Sequence, residues 1–195
     1  MGFQANSNFQ NAPTTTDGAK KKSNFRVGRI YGTDGTIDVS VWNSDKGGCY
    51  AICSIKAAVG KDPSTGANVY EQKMSGELPS IFMNIEILRA LLEAMKQQKP
   101  ESLNVSIDTG RGSKMSLTTT GSSIKVTIDN QKTGTRTVTL ESIPVGSTTV
   151  HANYLNLQQL LTTCFKKAIN NKLDPDEFAT AIASGGDSDV DGDPF

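Results

Sequence analysis

An α+β fold, made of two successive ββββα units of antiparallel sheet with two packed helices, is predicted by three observations. Short alternating apolar/polar runs are bounded by turn residues, each set of four runs is followed by a helical period, and the order occurs twice. The chain has 195 residues, long enough to bury a core without staples, and neither half of about 75 residues would bury both its sheet face and its helix stripe alone. One integrated unit over residues 23–173 is therefore expected.

The first 22 residues, rich in Asn, Gln, Ser, Thr and Gly and ending in Lys20, Lys21 and Lys22, have too little apolar content to fold and read as a disordered arm. Alternation then predicts strands near 24–32, 36–43, 48–58 and 69–78. Asp34-Gly35 and Lys46-Gly47-Gly48 supply tight turns, and Asp62-Pro63-Ser64-Thr65-Gly66 a longer loop. After Pro79 the period becomes helical, with Ile81, Ile85, Leu88, Leu91, Leu92 and Met95 on one stripe, until Pro100.

The second unit, 101–173, repeats the order with strands at 102–109, 113–120, 123–130 and 134–142. Gly110-Arg111-Gly112, Gly121-Ser122 and Lys132-Thr133-Gly134 separate them. Its helix carries Leu157, Leu160, Leu161, Cys164, Phe165, Ala168 and Ile169, and Asp174-Pro175 ends it. Similar phrases, Gly-Glu-Leu-Pro at 76–79 and Glu-Ser-Ile-Pro at 141–144, lead each fourth strand into its helix.

The net charge of zero conceals an asymmetry: all 20 Lys and Arg lie between Lys20 and Lys172 with 12 acids, a net +8, whereas 174–195 holds seven acids and no Lys or Arg. Such a division suits a polyanion-binding body with an acidic, disordered arm. Side chains alternate across a strand, so each strand divides into a core face and an open face. Ile37, Val39 and Val41 oppose Asp38, Ser40 and the single tryptophan, Trp42; Cys49, Ala51, Cys53 and Ile55 oppose Tyr50, Ile52, Ser54 and Lys56. In the second unit Lys114 and Lys125 share the polar face with Ser116, Thr118, Thr127 and Asp129.

Aromatics among cations suit single-stranded nucleic acid, because bases stack on rings and cations follow the phosphates. The candidate contacts are Lys20, Lys21, Lys22, Arg26, Arg29, Trp42, Tyr50, Lys56, Arg111, Lys114, Lys125, Lys132 and Arg136. The plainer reading places Trp42 and Tyr50 under a loop or a neighbouring subunit, and each cation in solvent as an ordinary surface charge.

Other chemistry finds little support. His151 is the only histidine, the three cysteines form no C-x-x-C pair, and no nucleophile motif occurs, so neither an enzyme nor a metal or other cofactor is expected. Gly60–Gly66 lacks phosphate-loop spacing. Asp187–Gly192 opens like a calcium loop but has no glutamate at the twelfth position. With no leader-like or membrane-spanning apolar run, a cytoplasmic protein is expected, in the host cytoplasm if viral. Viral origin is an expectation from the scarcity of Cys and His and the polar segment at each end.

The final Asp189-Val190-Asp191-Gly192-Asp193-Pro194-Phe195 resembles the acidic, Pro-Phe-ending tip of bacterial single-stranded DNA-binding proteins and the Phe-ending tails of bacteriophage ones. That resemblance implies that Asp189, Asp191, Asp193, Pro194 and Phe195 bind replication or recombination proteins, and that the tail competes with DNA for the body. It also implies, as the alternative fold, an OB-like β-barrel. The twofold ββββα order instead resembles the Whirly family and related small coactivators, which bind single-stranded DNA. Coating of single-stranded DNA in replication, recombination or repair is the expectation. The alternatives are a structural or adaptor protein of a virion or complex without nucleic-acid affinity, and a duplex DNA or RNA binder. Sheet edges can associate copies of the chain into dimers or rings, and the sequence counts no subunits.

Overall fold

The computed structural model describes residues 24–44, 48–73 and 75–173. The basic run at 20–22, residues 45–47 and the acidic segment 174–195 lie outside the described residues. The architecture is α+β, with antiparallel sheets and two helices.

The first sheet contains β1 (Asn24–Tyr31), β2 (Gly35–Asn43), β3 (Cys49–Lys61), β4 (Asn68–Tyr70) and β5 (Ser80–Met83). β3 is long enough for two partners beyond β2: its Ala51–Ser54 pairs with β5, and its Ala58–Lys61 with β4. Helix α1 (Ile85–Gln97) follows, its first turn capped by Asn84, whose Oδ1 accepts from the Ile87 N–H at 2.9 Å. The second sheet, β6 (Asn104–Asp108), β7 (Ser113–Thr120), β8 (Ser123–Asn130) and β9 (Gly134–Glu141), is a simple meander. A hairpin of β10 (Ile143–Val145) and β11 (Thr148–Val150) precedes α2 (Ala152–Leu173). Hydrogen-bonded paths end at β1 and β4 and at β6 and β9, so neither larger sheet closes as an OB-like barrel would.

Two expectations are corrected here. The fourth strand predicted at 69–78 is divided: β4 covers only Asn68–Tyr70, a 3-10 turn occupies Ser75–Glu77, and β5 begins at Ser80. Ile81 therefore belongs to a strand and not to the α1 stripe. The reason is tertiary, since the 80–83 backbone is taken up by the free edge of β3, and Asn84 then starts the helix. The second correction is the β10–β11 hairpin, which separates the fourth strand of the second sheet from its helix. Pro144 is tolerated there because a two-stranded hairpin has a free edge.

One cluster of buried residues runs from Ile30 to Ala168 and draws on both sheets and both helices. The apolar halves of β2 and β3 (Ile37, Val39, Val41, Ala51, Cys53, Ile55) are buried, as are Leu88, Leu91, Leu92 and Met95 of α1 and Leu157, Leu161, Cys164 and Ala168 of α2. Tyr154 joins them, its hydroxyl donating to the Met95 carbonyl at 3.3 Å. The cysteines are free and buried. Burial pushes the Cys164 thiol up to about 12, with Cys49 adding to the effect and Lys167 opposing it. His151 is buried at the α2 entry, where its carbonyl accepts from the Leu155 N–H.

The β1–β2 turn is wedged against the second sheet. Asp34 accepts from the Thr139 N–H at 2.8 Å and its hydroxyl at 3.1 Å, while the Thr33 N–H donates to the Thr139 carbonyl at 3.1 Å. This closeness requires glycine. A Cβ on Gly35 would collide with the Lys56 carbonyl oxygen, and one on Gly32 with Val138 and the Thr139 carbonyl. Gly35→Ala is expected to cost about 1–3 kcal/mol through overpacking, read as a lower urea midpoint at unchanged slope. A midpoint equal to wild type would mean that the turn gives way.

Candidate nucleic-acid interface

Three aromatic rings meet on the open face of the first sheet. β2 and β3 pair Trp42 with Tyr50, and β3 and β5 pair Ile52 with Phe82, which puts the rings on neighbouring strands of one face. The Trp42 and Tyr50 ring centroids are 5.5 Å apart with a 32° interplanar angle, and Phe82 meets Trp42 edge-on at 6.2 Å and 86°. Trp42 and Tyr50 are half-buried, whereas Phe82 keeps 44 % of its surface in solvent. A large ring left exposed on the β5 edge strand is not explained by the core.

Two turns of the second sheet complete a cleft of about 410 Å³ around these rings. The β6–β7 turn brings Arg111 and Gly112, and the β8–β9 turn brings Gln131 and Lys132. Asn130 fixes their position: its Nδ2 donates to the Ser80 carbonyl of β5 at 2.8 Å and to Ser113 Oγ at 3.0 Å. Its Oδ1 accepts from the backbone N–H groups of Lys132 and Thr133. A single amide thus ties the ring-bearing β5 to the turn carrying Lys132. Arg111 and Lys132 are both exposed and have no ion-pair partner among the described residues.

The other expected contacts divide into three groups. Arg26 (opposite Ser40 on β1), Arg29 and Lys56 lie on the same face as Trp42. Arg29 is engaged by Asp38, with nitrogen–oxygen distances of 2.5 and 3.0 Å, and the hydrogen bond to that carboxylate raises its already high pKa further. Lys56 stands 3.8 Å from the same carboxylate. Lys114 and Lys125 are exposed on the polar face of the second sheet and do not line the aromatic cleft. Lys114 pairs with Asp108 at 3.2 Å, and Asp108 is held below the usual carboxylate range by the Gly110 N–H and by Lys114.

Arg136 belongs to neither group. It lies opposite Ile128 on the inward side of β9 and pairs with Glu71, whose side chain is only 10 % exposed. Burial opposes ionisation of Glu71, but the Ala57 N–H, Arg136 and Lys73 outweigh it, so the carboxyl sits below its ordinary value. Arg136 is thus a structural clamp between the β3–β4 hairpin and the second sheet. Lys20, Lys21, Lys22 and the tip residues Asp189, Asp191, Asp193, Pro194 and Phe195 lie outside the described residues.

Phe82 was missed by sequence reasoning, as were Asn130 and Gln131. The signal for Phe82 was brief: Ile81 and Met83 alternate with it over four residues, directly after a proline and before a helix. Among the described residues no helix is long and apolar enough to cross a membrane, and no group of three His, Cys, Asp or Glu is placed to hold a metal ion. Comparison of the chain with protein-family models, with curated proteins and with solved structures gave no match, so its functional reading rests on these residues alone.

Proposed function

We propose that this protein binds single-stranded DNA without catalysis, stacking bases on Trp42, Tyr50 and Phe82 while Arg111 and Lys132 meet the adjoining phosphates. The observation that carries the reading is the aromatic cleft itself: Trp42 in contact with both Tyr50 and Phe82, Phe82 44 % exposed, rimmed by two cations without an ion-pair partner among the described residues. Every base has a face to stack, so binding of this kind tolerates any sequence. A cleft between two turns also favours a strand whose bases are free, because the bases of a duplex are already stacked and paired.

The order of strands and helices, a five-stranded sheet and a helix followed by a four-stranded sheet, a hairpin and a helix, is the basis for a duplicated, Whirly-like origin as part of the same reading. The acidic segment 174–195 is proposed to recruit replication or recombination proteins through Phe195 and the acids before it, and to compete with DNA for the cleft and its cations. A second reading, an adaptor or self-associating role, is favoured by a different feature. Ile143 and Val145 of the β10–β11 hairpin are 53 % and 57 % exposed on a strand pair with free edges.

Titration of Trp42 fluorescence with oligo-dT separates these readings. Quenching that weakens with salt and strengthens when residues 187–195 are deleted is expected for DNA binding with tail competition. Absence of binding at low salt, by fluorescence and by gel mobility, leaves the adaptor role.

A further inference from the structure

The face that carries the aromatic cleft holds a second concavity farther along β2 and β3. This groove, of about 180 Å³, is walled by Arg26, Lys56 and Lys73 over a floor that includes Asp38, Ser40 and Ser54. Asp38 pairs with Ser54 two cross-strand pairs beyond Trp42 and Tyr50 on the same side of the sheet. Four residues of strand separate Asp38 from Trp42, a distance of about 13 Å at the usual rise.

The charges in the groove do not cancel. Three cations, Arg26, Lys56 and Lys73, line it with one carboxylate, Asp38; Arg29, Glu71 and Arg136 do not line it and connect to it only through ion pairs with Asp38 and Lys73. Each carboxylate is already engaged by a guanidinium, Asp38 by Arg29 and Glu71 by Arg136. Lys56 and Lys73 stand at the longer distances of 3.8 and 3.7 Å, and Arg26 is exposed with no ion-pair partner among the described residues. The Ser54 hydroxyl proton is committed within the sheet and adds no donor to the three cations. Ser80 gives its proton to the Leu78 carbonyl and Ser54 gives its own to Ser80, so the hydroxyls are spent within the sheet.

We infer that this groove is a phosphodiester subsite for the same strand whose base lies against Trp42, with Arg26, Lys56 and Lys73 as its cations. The inference rests on the single-stranded DNA reading and adds a path to it: the strand follows β2 and β3 along the first sheet and does not cross the polar face of the second. The span from cleft to groove corresponds to no more than about four nucleotides at stacked spacing. Arg29 acts as a positioning residue here, because it takes the closer contacts with Asp38, at 2.5 and 3.0 Å, and leaves Lys56 at 3.8 Å.

The test is a length series, from dinucleotide to octanucleotide oligo-dT, against the full chain and two double variants. One variant is Arg26→Ala with Lys73→Ala, both exposed; the other is Lys114→Ala with Lys125→Ala on the second sheet. Wild type is expected to gain affinity sharply once an oligomer spans the two sites. The Arg26/Lys73 variant should lose that step and about two units of salt slope, while it quenches with the dinucleotide as wild type does. The Lys114/Lys125 variant should keep the step. If the Arg26/Lys73 variant keeps both step and slope, or if the step disappears with the Lys114/Lys125 variant instead, the groove is not the phosphate site. If wild type shows no quenching with any oligomer, the DNA reading and the subsite fall together.

Discussion

Trp42→Ala is expected to weaken binding of oligo-dT by about 5- to 150-fold, corresponding to the roughly 1–3 kcal/mol that one base–aromatic stack contributes. Trp42 is the central ring of the three, in contact with both Tyr50 and Phe82, so its loss opens the cleft as well as removing one platform. Because Trp42 is the only tryptophan, the measurement is fluorescence anisotropy of a labelled oligonucleotide. The slope of affinity against salt should stay as in wild type, since stacking releases no counterions. Trp42→Phe should recover part of the loss, and Phe82→Ala, at a ring 44 % exposed, should lower affinity without disturbing the fold. Unchanged affinity in both alanine variants would show that the rings pack only against one another.

The largest effect on stability is expected at the Arg136–Glu71 pair. Glu71 ties β4 to β3 by accepting from the Ala57 N–H at 3.1 Å and ties both to β9 through Arg136. Arg136→Ala leaves a carboxylate with one-tenth of its side chain exposed and only the more distant Lys73 beside it. Removing one partner of a buried pair costs about 3–5 kcal/mol, and the 28 % exposure of Arg136 places this case near the lower end. Denaturant unfolding at neutral pH measures the loss. An effect below about 1 kcal/mol would class the pair with surface ion pairs.

The same pair predicts a pH dependence. Glu71 has a folded pKa below its ordinary value of 4.5, so its contribution to stability is fully present above that value. It is lost as pH falls through the lower, folded value, where the carboxylate of the native state takes up its proton. Glu71→Gln should therefore reduce the acid sensitivity of unfolding while lowering stability at neutral pH. Equal acid sensitivity in the two proteins would assign it to other carboxylates, such as Asp108.

Much of the fold was readable because turn chemistry and alternation agree. β2, β7, β8 and β9 fall within a residue of their expected bounds, each begun at or just after a glycine that leaves the strand only one way to start. The stretch 69–83 was misread for a physical reason. Between Glu71 and Ser80 the chain has no alternation to report, and the four apolar-patterned residues after Pro79 suit a strand and a helix start equally. What made them a strand was the free edge of β3 at Ala51–Ser54, a partner nearly thirty residues earlier in the chain. The β10–β11 hairpin was hidden because a proline after a strand reads as its end.

The candidate site divides in the same manner. Alternation alone placed Trp42, Tyr50 and Lys56 on the face opposite Val39 and Cys53, since side-chain direction in a strand has a period of two and depends on nothing distant. Composition alone separated a basic body from an acidic tail. Whether a given cation is free depends on which carboxylate the fold brings to it, and that is a matter of three-dimensional neighbourhood. Arg29 found Asp38 across a strand pair and Arg136 found Glu71 across two sheets, while Arg111 and Lys132, from turns of the second sheet, were left beside the rings of the first. The sequence by itself determined the elements, their faces and the division of charge, because these follow from local periodicity and count. Only the tertiary structure decided that Phe82 would join the aromatic pair and which cations would stand without an ion-pair partner among the described residues, because those outcomes depend on residues far apart in the chain meeting in one place.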